Sequence, residues 1–350
     1  MKLCKICLVC TLALTITLLL AGGSFGAKKD YAGETFVIYS YGGAWDDAIN
    51  EGAVKPLQER YPKLEIILAP DGGFSKVLAE KNDPQADVSF IDDSAMPQAI
   101  AVGLVAELDT SKISNWKDVY SVGKAYGNYG AAMEFGRFGL CYRTDKIKKP
   151  TSWGDLWIPD YKNHVSIGAA TAGGTSWVQF LVAAAEQGGG SYKNIEPGFD
   201  KLKALKSNLI TVTETTGQIN QLLTDGDLWL THFWDGRCVQ LARNGVPVEF
   251  IAPKEGAFAT ITYITMVKGT KFPDLAHEFI DLVLSEEGQQ VWTKFIGYGP
   301  TNMNVKLPQK NIDEGVLYGM EQVDAMNILP WEELLPHRPQ WLERWNDAVR

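Results

Sequence analysis

Trp234-Asp235-Gly236-Arg237 places an aromatic face, a short acid, a permissive glycine and a guanidinium fork within four consecutive residues. An arginine fork pairs bidentately with a carboxylate or phosphonate, an acid holds an ammonium, and a ring face attracts cations. The segment is therefore equipped to recognise both ends of a small zwitterion without performing any reaction. Arg137 offers a second fork, Asp92-Asp93-Ser94 a second acidic group with a hydroxyl, and Tyr41-Gly42-Gly43-Ala44-Trp45 another ring. Each has a plainer reading. An arginine near a strand end commonly sits in a structural ion pair, and Asp92, Asp93 or Ser94 serves equally well in a solvated loop or as the cap of a helix through Met96. Of the two arginines Arg237 is preferred, because the start of a helix adds partial positive charge. Trp45, Trp153 and Trp157 read as packing residues, Trp177 and Trp234 as cleft residues.

Signatures of catalysis are missing from the sequence. His164, His232, His277 and His337 show no metal-ligand spacing. There is no Gly-x-Ser-x-Gly elbow, and Ala172-Gly173-Gly174-Thr175 lacks the lysine of a nucleotide-binding loop. No cofactor or metal is expected.

The elements around these residues alternate. Strands are expected at 35–40, 64–68, 88–91, 165–168, 209–212 and 228–231, and helices at 45–59, 74–80, 175–186, around 199–205 and around 219–223. Strict alternation with short connections indicates α/β units on mainly parallel sheets covered on both faces. Ligands of open α/β sheets bind beyond the carboxyl ends of strands, where Tyr41, Asp92, the stretch 170–177 and Trp234 to Arg237 fall.

Lys2 and Lys5 precede an apolar run from Leu8 to Ala21, and Ser24-Phe25-Gly26 follows. This is the pattern of a signal peptide over residues 1–26, cleaved near Gly26, and the run is shorter than the roughly 20 residues that span a bilayer. The formal net charge of −9 becomes more negative once Lys2 and Lys5 leave, which argues against binding nucleic acid or an anionic membrane. Cys141 and Cys238 remain. A bridge between them is permitted in an oxidising periplasm, yet a chain of this size can build its core without one.

Seven phrases occur in a familiar order: 101–109, Pro150 to Trp157, Trp234 to Arg237, Pro253 to Gly256, Val267 to Thr270, Ala276 to Leu284 and Gly297 to Asn302. In these the chain resembles the polyamine-type (spermidine/putrescine) branch of the bacterial extracellular solute-binding proteins. The resemblance, over about residues 34 to 308, implies a type II periplasmic-binding-protein fold of two α/β lobes with the ligand in the cleft between them. It places residues 30–135 with 258–300 in one lobe and 136–257 in the other, with 301–350 packing on the second. Gly139 to Tyr142 and Ala259 to Val267 would be the crossings. A periplasmic monomer that hands its solute to the permease subunits of an ABC transporter follows, with a secreted α/β enzyme or a signalling subunit as alternatives.

The resemblance also adds site residues. Polyamine binders hold ammonium groups with carboxylates and sandwich the methylene chain between rings, and Tyr41, Trp234 and Tyr298 match those ring positions. This sequence departs from the pattern at Thr262, where relatives carry an aspartate, and at Thr175 to Trp177, where an acidic pair would lie. With Arg137 and Arg237 present, an amino-bearing solute with a carboxylate or phosphonate is preferred to a polyamine, its amino end held by Asp92, Asp93 or Asp235.

Overall fold

The computed structural model describes residues 30–70, 72–170 and 174–349; the expected signal peptide lies outside them. Nine strands form one sheet: β1 (Thr35–Tyr39), β2 (Glu65–Ala69), β3 (Val88–Asp92), β4 (Ala131–Arg143), β5 (Val165–Gly168), β6 (Leu209–Thr213), β7 (Leu230–Trp234), β8 (Val248–Ile251) and β9 (Phe258–Met266). Their order is β2-β1-β3-β9-β4-β7-β5-β6, with β8 paired to β4.

Each end of the sheet is a parallel trio, β2-β1-β3 in one lobe and β7-β5-β6 in the other. Between them run β4 and β9, antiparallel to each other and to the trios. Both are long and almost wholly buried, as strands covered on both faces must be. One irregularity matters later. Ala132 pairs with Tyr263 but Glu134 with Thr262, so Met133 is an extra residue bulged out of the ladder.

Helices cover both faces because each sheet face is apolar. In the first lobe a continuous helix over 44–60, with a π-type turn at Asn50–Val54, packs with Pro273–Val283 and Glu286–Ile296 against Phe36, Ile38 and Phe90. In the second, Ser176–Gln187 and Glu196–Leu205 pack on β5 and β7 around Trp153, Phe180 and Leu230. Asp235–Arg243 covers the opposite face, where Cys238 is bonded to Cys141 of β4 with 6.1 Å between their Cα atoms.

The expected placement of residues 301–350 on the second lobe has to be divided. Leu317, Val323 and Met326 pack with Phe135, Ile261 and Tyr263, whereas Leu329, Trp331, Trp341 and Trp345 join the core of Trp153 and Phe180. The hand-over occurs where Asn327 pairs with the start of β9. Apolar side chains on either side of that point match different cores, so the segment straps the lobes together.

Candidate ligand-binding cleft

A cavity of about 260 Å³ opens at the carboxyl ends of the parallel strands, beside β4 and β9. At about 30 Å³ per water it holds roughly nine waters, the space of a small solute.

On the first-lobe side the acids meet. Asp92 ends β3, Thr262 is its register partner on β9, and Glu134 of β4 is the next partner across. Cross-strand partners point to the same face, so the three side chains line up. The Thr262 hydroxyl lies 3.3 Å from Asp92 Oδ1 and 3.1 Å from Glu134 Oε1, and its single proton serves only one carboxylate at a time. Glu134 also accepts from Trp292 Nε1 at 3.0 Å, and Asp92 from the Tyr41 hydroxyl at 3.2 Å. Burial raises the pKa of both acids, Glu134 well above its ordinary value, with hydrogen bonds opposing the shift. A bound ammonium would relieve that burial cost.

Tyr41 packs edge-on to Trp45 with ring centroids 4.7 Å apart, and both rings border the cavity. Asp93 lines it too, although its carboxylate is turned to Trp331 Nε1 at 2.7 Å and to the Ser94 amide at 2.8 Å. Burial first, and the neighbouring Asp92 next among the raising causes, lift Asp93 to about 7. Neither aspartate side chain caps the helix Met96–Ala101.

The second lobe supplies the opposite charge. Arg237, in the first turn of the helix that follows β7, lines the cavity and has no ion-pair partner among the described residues. Trp234, Thr175 and Thr216 stand on the same side, with Gln179 held by its bond to the Ala259 carbonyl at 2.8 Å. A methyl group added at Gly174 would lie 3.8 Å from Asp92, so the lobes approach closely here. Tyr298 feels both charges: after burial, Glu134 raises the pKa of its phenol and Arg237 opposes the rise. Its ring rests on two glycines; a Cβ would fall 2.9 Å from it at Gly136 and 2.6 Å at Gly236.

Of the residues singled out from sequence, Tyr41, Asp92, Asp93, Thr175, Trp234, Arg237, Thr262 and Tyr298 come together around this cavity. Four lie elsewhere. Arg137 Nε bonds Asp235 Oδ2 at 2.9 Å and its Nη2 bonds the Gly315 carbonyl at 2.6 Å, so Arg137 and fully buried Asp235 satisfy each other. Trp177 packs edge-on to Trp345 in the second-lobe core, since the helix face it occupies points inward. Ser94 is buried beside the turn, with its amide bonded to Asp93. Glu134 and Gln179 were not singled out, nor was Trp45 as more than packing. An acid inside an apolar strand was the available signal for Glu134.

The family model of the bacterial extracellular solute-binding proteins matches residues 52–316. This chain belongs to that family. The solute-binding protein is 23% identical to a gamma-aminobutyric acid-binding protein of Pseudomonas aeruginosa, over 93% of this chain and 94% of the relative. It is 21% identical to the spermidine/putrescine-binding periplasmic protein 1 of Haemophilus influenzae, over 90% and 87%. A crystal structure of an ABC transporter protein from Clostridium perfringens covers 90% of this chain and 100% of that one at TM-score 0.75 and 26% identity. The chain is thus a two-lobed solute-binding protein of the ABC-transporter type, from a family that acts outside the cytoplasmic membrane and serves permease partners. The polyamine-type resemblance read from the sequence agrees with these relatives.

Proposed function

We propose that this solute-binding protein captures a small zwitterion, an ω-amino acid or aminophosphonate, in preference to a polyamine. The observation that carries the reading is the polarity of the cavity: half-buried Asp92 and buried Glu134 line it from one lobe, and Arg237, which has no ion-pair partner among the described residues, lines it from the other. A polyamine would leave Arg237 repelling its far ammonium. The gamma-aminobutyric acid-binding relative supports the same ligand class.

In this reading Asp92, Glu134 and Thr262 hold the amino end, Arg237 and Thr175 the acid, and Tyr41, Trp234 and Tyr298 flank the chain. Residues 30–135 with 258–300 form one moving body and 136–257 the other, the C-terminal segment strapping both. The protein is exported by its signal peptide, works as a monomer, delivers ligand to a permease and catalyses nothing. Calorimetry with 4-aminobutanoate, 3-aminopropylphosphonate, putrescine and spermidine tests it. The zwitterions should bind more tightly; tighter spermidine binding would reverse the assignment, and turnover of any bound compound would end the non-enzymatic reading.

A further inference from the structure

Two bonds hold the first turn of the helix that carries Arg237, whose far end is tied separately by Gln240 to the Phe295 and Ile296 carbonyls and by Arg243 to Glu314 and the Lys294 carbonyl. Arg137 and Cys141 are four apart on β4, so they share a face of that strand. Asp235 and Cys238 are three apart on the helix Asp235–Arg243, so they share a face of it. The two faces meet: Arg137 binds Asp235 through its backbone amide at 3.0 Å and its Nε at 2.9 Å, and Cys141 is joined to Cys238. Both cystine residues are at most 1% exposed. Arg237 lies between the two pins, and its side chain borders the cavity.

A first turn held at one point can still shift relative to the rest of its helix, which swings the side chains it carries. Two attachments one turn apart prevent this. We propose that the Cys141–Cys238 bridge is a positioning device for Arg237, so that capture of the anionic end of a ligand depends on oxidation of this cysteine pair. Without the bridge the helix keeps its far-end ties and the first turn keeps only the ion pair, so the reduced chain would orient the guanidinium less sharply. The chain would then acquire its full affinity only in an oxidising compartment. This rests on Arg237 being the anion contact.

The test replaces both cysteines by alanine in the full chain, with and without Arg237→Gln, and measures 4-aminobutanoate affinity by calorimetry. Positioning predicts coupling: cysteine removal lowers affinity about tenfold with Arg237 present and less than about twofold in the Arg237→Gln background. Equal losses in both backgrounds would make the bridge merely structural and overturn the proposal. Hydrogen exchange on the ligand-free proteins supplies an arm independent of the ligand. Amides of Val239 to Arg243 should exchange faster without the bridge, while those of the helix Glu196–Leu205, which packs in a different core, stay unchanged; unaltered exchange at 239–243 also overturns it. Should the alanine protein fail to fold, reduction of the native protein provides the same comparison. If the native protein ignores 4-aminobutanoate, the ligand assignment fails and the exchange arm decides the positioning role by itself.

Discussion

Trp331 donates its indole N–H to the Asp93 carboxylate at 2.7 Å across 238 positions of sequence. The indole belongs to the second-lobe core and the acid opens the turn after β3, so this bond spans the lobes at the edge of the cleft. Trp331→Phe removes the donor and leaves a buried carboxylate short of a partner. Destabilisation of about 1–3 kcal/mol is expected in denaturant unfolding, on top of any loss of packing. In an Asp93→Leu background, with no acceptor to orphan, the same change should cost less.

Asp93 also gives stability a pH dependence with a definite sign. Its folded-state pKa, about 7, lies above the ordinary carboxylate value, so the folded protein binds this proton more tightly than the unfolded chain does. The contribution is fully present below the ordinary carboxylate range, is lost progressively as pH rises from there, and is gone above about 7. Asp93→Asn keeps an acceptor for the indole and cannot ionise. Melting temperatures of the two proteins should converge near pH 4, diverge in favour of the variant as pH rises from about 4 to about 7, and keep that difference above it.

Arg237→Lys keeps charge but loses the bidentate fork, and affinity for an ω-amino acid should fall by about 1.5–3 kcal/mol in calorimetry. Thermal stability of the unliganded protein should scarcely change. Arg137→Lys should behave in the reverse sense, lowering the melting temperature more than the affinity, because its guanidinium is occupied by Asp235 and the Gly315 carbonyl.

Glu134→Gln retains an acceptor for Trp292 and removes an acid whose ionisation burial opposes. The unliganded variant should be at least as stable as the native protein, increasingly so toward high pH. Ammonium-bearing ligands should nevertheless bind about tenfold or more weakly, since a charge-assisted bond is lost. Unchanged affinity would remove Glu134 from the site.

Much of this was legible in the chain. The alternation of strand and helix, the carboxyl-end segments and the position of Arg237 at the start of the helix after a strand all follow from local patterns and family resemblance. Glu134 was not legible, because its position depends on the bulge at Met133: without that extra residue Met133 would face Thr262 and the acid would point away. Trp177 misled for a related reason. Its helix is buried on nearly every face, and periodicity cannot tell which buried face borders a cavity. The Arg137–Asp235 pair is a long-range contact that no spacing reveals.

Tyr298, resting on Gly136 and Gly236, bears on how such a receptor changes its diet. A methyl group at either glycine would crowd the ring at 2.9 or 2.6 Å, and the same tyrosine lines the cavity. Ligand size can therefore be reset by one small substitution underneath an aromatic wall, with every charged group left in place. Descendants of this chain could trade a longer solute for a shorter one through the floor of the site, keeping the chemistry of its two ends.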